Sequence, residues 1–109
     1  MYNELTNPNG AGFWRKNLRD NDENGIIGGL DGVDLNRNYG YKWGDQYGGS
    51  SSTPSSQVYR GEAPFSEPET QALAAFCKAH DFKIAMNYHS FGNLLIYPWS
   101  YSDQPTPDE

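Results

Sequence analysis

The run of residues 39–64, YGYKWGDQYGGSSSTPSSQVYRGEAP, constrains this chain more than any other feature. Its glycines, serines and prolines favour turns and oppose both helix and strand over most of its length. An irregular run this long is uncommon inside a compact domain unless it is functional or belongs to a larger body. A chain of 109 residues has room for one domain and one small core. Aromatic residues make up 15 % of it, too many for plain disorder, while the hydrophobic share is a low 36 %. The reading is therefore globular material with long loops, which also fits a piece of a larger domain.

Several classes drop out. There is no run of about 18 apolar residues, so no membrane span is expected. No charged region followed by an apolar stretch opens the chain, so no signal peptide is expected. Eight Lys and Arg against 14 Asp and Glu give a net charge of −6, and no basic cluster offsets it, which argues against a nucleic-acid partner. Cys77, a single cysteine, forms no internal disulfide.

The clearest regular element follows the long loop. Ser66 with Glu69 fits a capping box, and Glu67 and Pro68 suit a first turn. Leu73, Phe76, Cys77 and His80 then recur at i, i+3, i+4 and i+7. The pattern predicts a helix over about residues 67–80 with these four on its apolar face. Residues 82–88 predict a buried strand, residues 94–97 a second one closed by Pro98, and Val33 with Leu35 a brief third. A turn is expected at Asn7-Pro8-Asn9-Gly10. A helix between strands gives an α/β fold class, with a native sheet wider than these few strands supply.

Four places carry candidate chemistry. His89 ends an apolar segment and opens a glycine-containing turn. Ligands of open α/β sheets bind at the carboxyl ends of strands, so His89 reads as a site residue or as a satisfied imidazole at the core edge. His80 reads as a helix C-cap. Cys77 and His80 have a C-x-x-H spacing but no second pair, so Cys77 reads as a packed thiol. A catalytic zinc needs three protein ligands, which two histidines without an HxxE or HExxH motif do not supply.

In Asp34-Leu35-Asn36-Arg37-Asn38, a guanidinium beside an amide suits a carboxylate ligand. Asp34 equally suits a structural pair with arginine, or the task of orienting a metal-bound histidine. Arg15, between Trp14 and Lys16, reads as an oxyanion stabiliser or as part of a surface cation–π pair. Asp20, Asp22, Asn24 and Gly25 resemble the opening of a calcium loop, with Asp31 in the closing place, or a bare acidic turn without flanking helices.

Five blocks, in order, resemble the zinc metallocarboxypeptidases of the carboxypeptidase A type. They are Phe13-Trp14-Arg15-Lys16-Asn17, then Gly32-Val33-Asp34-Leu35-Asn36-Arg37-Asn38-Tyr39, Tyr59-Arg60-Gly61, Phe65-Ser66-Glu67-Pro68-Glu69-Thr70, and Tyr88-His89-Ser90-Phe91-Gly92. Tyr39-Gly40-Tyr41-Lys42-Trp43-Gly44, with Gly49-Ser50-Ser51 and Pro54-Ser55-Ser56, looks most like the bacterial carboxypeptidase T branch. The resemblance covers about residues 13–101. It implies an α/β/α sandwich on a mixed sheet, of which residues 1–109 would be the middle third.

It also implies roles. His89 would be a zinc ligand, and Arg15 would polarise the scissile carbonyl. Asn36 and Arg37 would hold the C-terminal carboxylate of a peptide substrate, hydrolysed by zinc-activated water. Asp34 would orient another zinc-binding histidine, and Ser90 and Phe91 would line the subsite beside the metal. The family's HxxE motif, its general-base glutamate and its mobile tyrosine are absent from the chain. The isolated chain is therefore expected to be inactive. A secreted or periplasmic location is implied by the resemblance alone. Two other readings stay open: a non-catalytic carboxylate-binding module and a calcium-stabilised loop domain. Self-association of the fragment through unpaired strand edges is also expected.

Overall fold

A computed structural model describes residues 14–45, 48–90, 92–97, 99, 104, 106 and 107. The expected turn at Asn7-Pro8-Asn9-Gly10, together with Phe13, Phe91 and Pro98, lies outside the described residues. Two regular elements stand among them: a 3₁₀ helix, Leu35–Arg37, and an α-helix, Pro68–Lys78, here α1.

α1 forms where the capping and periodicity signals place it, two residues shorter at its end than expected. Pro68 occupies the first turn, where its fixed φ suits the helix and a missing N–H is harmless. The expected capping box is not made. Glu67, in extended conformation, is the N-cap, and it makes no side-chain cap bond. The Ser66 hydroxyl instead donates to Glu67 Oε1 at 2.6 Å. Thr70 Oγ1 closes the first turn by donating to the Glu67 carbonyl at 2.9 Å. At the other end Ala79 N–H reaches the Ala75 carbonyl at 3.1 Å, and His80 Nδ1 lies 2.8 Å from the Phe76 carbonyl, the C-cap role expected of it.

The interior is mostly polar. Val33 and Tyr59 are its buried apolar residues, packed among Lys16, Asp31, Asp34, Asn38, Glu67 and Thr70. Backbone bonds tie the loops to one another across the chain. Asn17 N–H donates to the Val33 carbonyl at 3.0 Å, Asp34 N–H to Tyr59 at 2.8 Å, and Phe65 N–H to Asn38 at 2.7 Å. Ser51 and Tyr59 form an isolated parallel bridge. The glycine-rich run is thus pinned at its middle rather than free.

Asn38, fully buried, is the hub. Its Nδ2 donates to the Arg60 and Ala63 carbonyls and to Ser66 Oγ at 2.9, 3.1 and 2.8 Å. Its Oδ1 accepts from Glu67 N–H at 3.2 Å and from Thr70 Oγ1 at 2.7 Å. Gly61 makes room for this packing. At its φ of +85° a Cβ would sit 2.5 Å from Ser66 Oγ and 2.7 Å from Asn38 Nδ2.

The strand expectations are corrected. Among the described residues there is no strand, and none in 82–97 makes a backbone–backbone hydrogen bond. Ile84 and Tyr88 are 82 % and 88 % exposed. Val33 is buried as expected, but its segment passes directly into the 3₁₀ helix. The apolar face of α1 is half open as well, and Cys77 is exposed rather than packed. The Phe76 ring lies against His80 and Phe82, with ring centroids 4.4 and 5.6 Å away. The reason is physical: apolar, β-prone residues become a strand only against a ladder partner and a covering layer. No described segment provides either.

Candidate functional site

Asp34 organises the site. Its side chain is 3 % exposed, and it caps the 3₁₀ helix by accepting from Asn36 N–H at 3.1 Å. Its other oxygen, Oδ2, accepts from Arg15 Nη2 at 2.7 Å, with Arg37 Nε at 3.8 Å. One buried carboxylate thus draws two guanidinium groups together from positions 19 residues and 3 residues away. Arg15 gains a second anchor through Nη1, which donates to the Gln57 carbonyl at 2.7 Å. Arg37 and the exposed Asn36 form one end of an open cleft of about 320 Å³, with Tyr39, Tyr41, Lys42 and Trp43 along it. The lining thus holds two cations, Arg37 and Lys42, one acid, Asp45, an amide and three aromatic rings. Such a set offers fork-shaped donors for a carboxylate and apolar surface for the body that carries it.

Lys16 lies behind this cluster. It is 4 % exposed, and its ammonium donates to the Pro54 carbonyl at 2.7 Å and to Ser56 at 3.3 Å. Burial holds its pKa below the ordinary lysine value, although the charges of Asp31 and Asp34 oppose that shift. The expected cation–π contact is made by Lys16 rather than Arg15, with Nζ 5.8 Å from the Trp14 ring centre.

Glu67 anchors α1 to the same frame. It accepts from Asn17 Nδ2 at 2.7 Å and from Arg19 Nη1 at 2.9 Å, besides Ser66. Burial pushes its pKa up, but the Ser66, Asn17 and Arg19 donors and the Arg19 charge outweigh it and hold the carboxyl below the usual range.

The structure does not bring every expected residue together. His89 and Ser90 are exposed, and His89 makes no hydrogen bond or ion pair among the described residues. Phe91 lies outside those residues. Asp34, expected to orient a histidine, here has arginine partners. Zinc needs three protein ligands, and the described residues do not fit it as they stand: no cluster includes His89.

The one cluster of metal-ligand type among them is Asp20, Asp22 and Asp31, with carboxylate oxygens within 4.8 Å of one another. Backbone donors already engage it. Asp20 accepts from Asn24 and Gly25 N–H, and Asp31 from Asn21 and Gly28 N–H. Asn24 Oδ1 accepts from Ile26 N–H at 2.7 Å. The arrangement is a hydrogen-bonded acidic turn, and nothing in it selects calcium.

Sequence reasoning missed the supporting residues. Asn38 sits in the Asn-Arg-Asn run and was legible as polar, but its five partners were not. The Lys16 acceptors and the Gln57 carbonyl are backbone groups, which leave no mark in residue identity.

Arg37, on the short 3₁₀ helix, thus lines the cleft, and Arg15 meets it at the buried Asp34 carboxylate. The model of the zinc carboxypeptidase family matches residues 4–109, and the chain belongs to that family. It is 39 % identical over 113 residues to carboxypeptidase A5 of Macaca fascicularis, covering 96 % of this chain and 24 % of that protein. It is 35 % identical over 113 residues to carboxypeptidase A1 of Rattus norvegicus, covering 96 % and 26 %. A metallocarboxypeptidase A-like protein of Trichophyton verrucosum is 39 % identical over 110 residues, covering 90 % and 24 %. The chain spans about a quarter of the length of these relatives.

Proposed function

We propose that this chain is the central segment of a zinc-dependent carboxypeptidase, within an α/β/α sandwich, that releases C-terminal amino acids from peptides. The observation that carries the reading is the convergence of Arg15 and Arg37 on buried Asp34 beside the Asn36–Arg37 end of the cleft. In this reading Arg37 and Asn36 receive the terminal carboxylate through charge-assisted hydrogen bonds. Arg15 faces the scissile carbonyl and stabilises the charge that develops on its oxygen. Asp34 holds both cations in place, so neither loses its aim when substrate leaves. Ser90 and Phe91 line the neighbouring subsite, and His89 contributes one of the ligands that zinc needs. Because two ligands are lacking, the 109-residue chain alone neither holds catalytic zinc tightly nor cleaves peptides. A secreted or periplasmic location belongs to the same reading. No described helix is long and apolar enough to cross a membrane.

The test uses the full-length protein that carries this segment. It releases the last residue of a blocked dipeptide with a free carboxylate and leaves the C-terminal amide intact. Arg37→Ala raises KM about 10- to 100-fold, the loss of a hydrogen bond to a charged group. Equal cleavage of acid and amide, or an unchanged KM, overturns the reading. Turnover by the 109-residue chain with added zinc overturns its predicted inactivity.

A further inference from the structure

We propose that Lys16 is a positioning residue for Arg15: its ammonium fixes the loop of residues 54–57, whose Gln57 carbonyl aims the Arg15 guanidinium. The inference rests on the role given to Arg15 above.

Arg15 and Lys16 are consecutive residues whose side chains part, one exposed beside Asp34 and the other 4 % exposed. Both end on the same loop. Arg15 Nη1 donates to Gln57, and Lys16 Nζ donates to Pro54 and Ser56. A planar guanidinium is held in one orientation when two fixed acceptors lie along its fork. For Arg15 one acceptor is the buried Asp34 carboxylate, itself pinned by the 3₁₀ turn. The other is a backbone carbonyl in a Ser- and Pro-rich loop that carries no helix or strand. That loop is tied to its neighbours at its flanks, by Ser51 N–H to Val58 and by Asp34 N–H to Tyr59. Within it, the local turn bonds are Ser56 N–H to Thr53 and Tyr59 N–H to Ser56. Lys16 supplies a link from its apex to the interior. A buried ammonium is unfavourable unless hydrogen-bonded. Here the loop carbonyls serve that need, while the ammonium in turn sets where the next carbonyl, Gln57, stands. Arg37, by contrast, turns its Nη1 to the Asn36 carbonyl at 3.4 Å rather than to this loop.

The test compares Lys16→Met, Gln57→Gly and Arg15→Ala in the full-length protein on a blocked dipeptide. Lys16→Met lowers kcat on the order of tenfold or more, with KM within about twofold, because a shift of about 1 Å at a reacting group is expensive in rate. Gln57→Gly, which loosens the same carbonyl from an exposed position, lowers kcat about threefold, again at constant KM. Because lost active enzyme would also lower apparent kcat at constant KM, kcat is taken per active site, counted by titration with a tight-binding inhibitor. On that scale a merely structural lysine leaves kcat unchanged. Unchanged kcat in folded Lys16→Met overturns the inference. If Lys16→Met does not fold, unchanged kcat in Gln57→Gly overturns it. If Arg15→Ala loses kcat while both other variants keep it, positioning fails and the role of Arg15 stands. If Arg15→Ala keeps kcat, or the unsubstituted protein shows no turnover, the role of Arg15 fails and this inference falls with it.

Discussion

Residues 14–70 and residues 81–97 respond to the same solvent in opposite ways. The first region has little apolar content, yet it buries Lys16, Asp31, Asp34, Asn38, Glu67 and Thr70. The second is rich in Ile, Leu, Met and Tyr, yet it leaves Ile84, Met86, Tyr88, Leu94, Leu95 and Ile96 exposed. The difference teaches that polarity of sequence and burial of residues are separate matters. A polar loop closes on itself when most of its buried donors meet acceptors within the same stretch, although here the Nε groups of Arg37 and Arg60 do not. An apolar extended segment has no such internal solution, because its backbone partners and its covering layer must both come from elsewhere.

The sharpest way to break this contrast is at its polar hub. Asn38→Leu removes the amide's hydrogen bonds to Arg60, Ala63, Ser66, Glu67 and Thr70 and leaves the buried Glu67 N–H without its acceptor. Urea unfolding of the 109-residue chain should show a loss of about 3 kcal/mol or more. A loss under about 1 kcal/mol would mean that the frame does not depend on its polar interior.

Glu67 tests the same idea through pH. Its carboxyl titrates below the usual range in the folded chain, so the folded state binds its proton less readily than the unfolded state. Its stabilisation is therefore complete above the ordinary glutamate range and is lost as pH falls through the lowered value. Glu67→Gln should cost about 1–3 kcal/mol at neutral pH and flatten the acid limb of a melting-temperature profile. An unchanged acid limb would assign that dependence to other carboxylates.

The smallest effect belongs to the apolar region. Ile84→Ala in the 109-residue chain should change stability by less than about 0.5 kcal/mol, as at other exposed positions. In the full-length protein, where the proposed sandwich covers this segment, the same change should cost about 2 kcal/mol or more. Equal, negligible effects in both would argue that residues 82–88 are not a core strand.

Much of the site's cast was legible in the primary structure, and its assembly was not. The Asp-x-Asn-Arg-Asn run and Arg15 stood out because few other residue types offer fork-shaped donors beside an amide. The helix was legible from Pro68 and the spacing of Leu73, Phe76 and His80. The capping box misled because Ser66 and Glu67, neighbours in the chain, had a stronger use for each other within the Asn38 network. The strand reading of 82–88 placed apolar residues in a core that no described segment completes.

Residue order alone determined where a helix could form and which arginine stands beside an amide as a fork-shaped donor, since these depend on local stereochemistry and donor geometry. Three-dimensional packing alone decided that Asp34 takes two guanidinium partners and that Lys16 secures a loop some forty positions away. Those choices turn on backbone carbonyls and on burial, and both come into being only when distant segments meet.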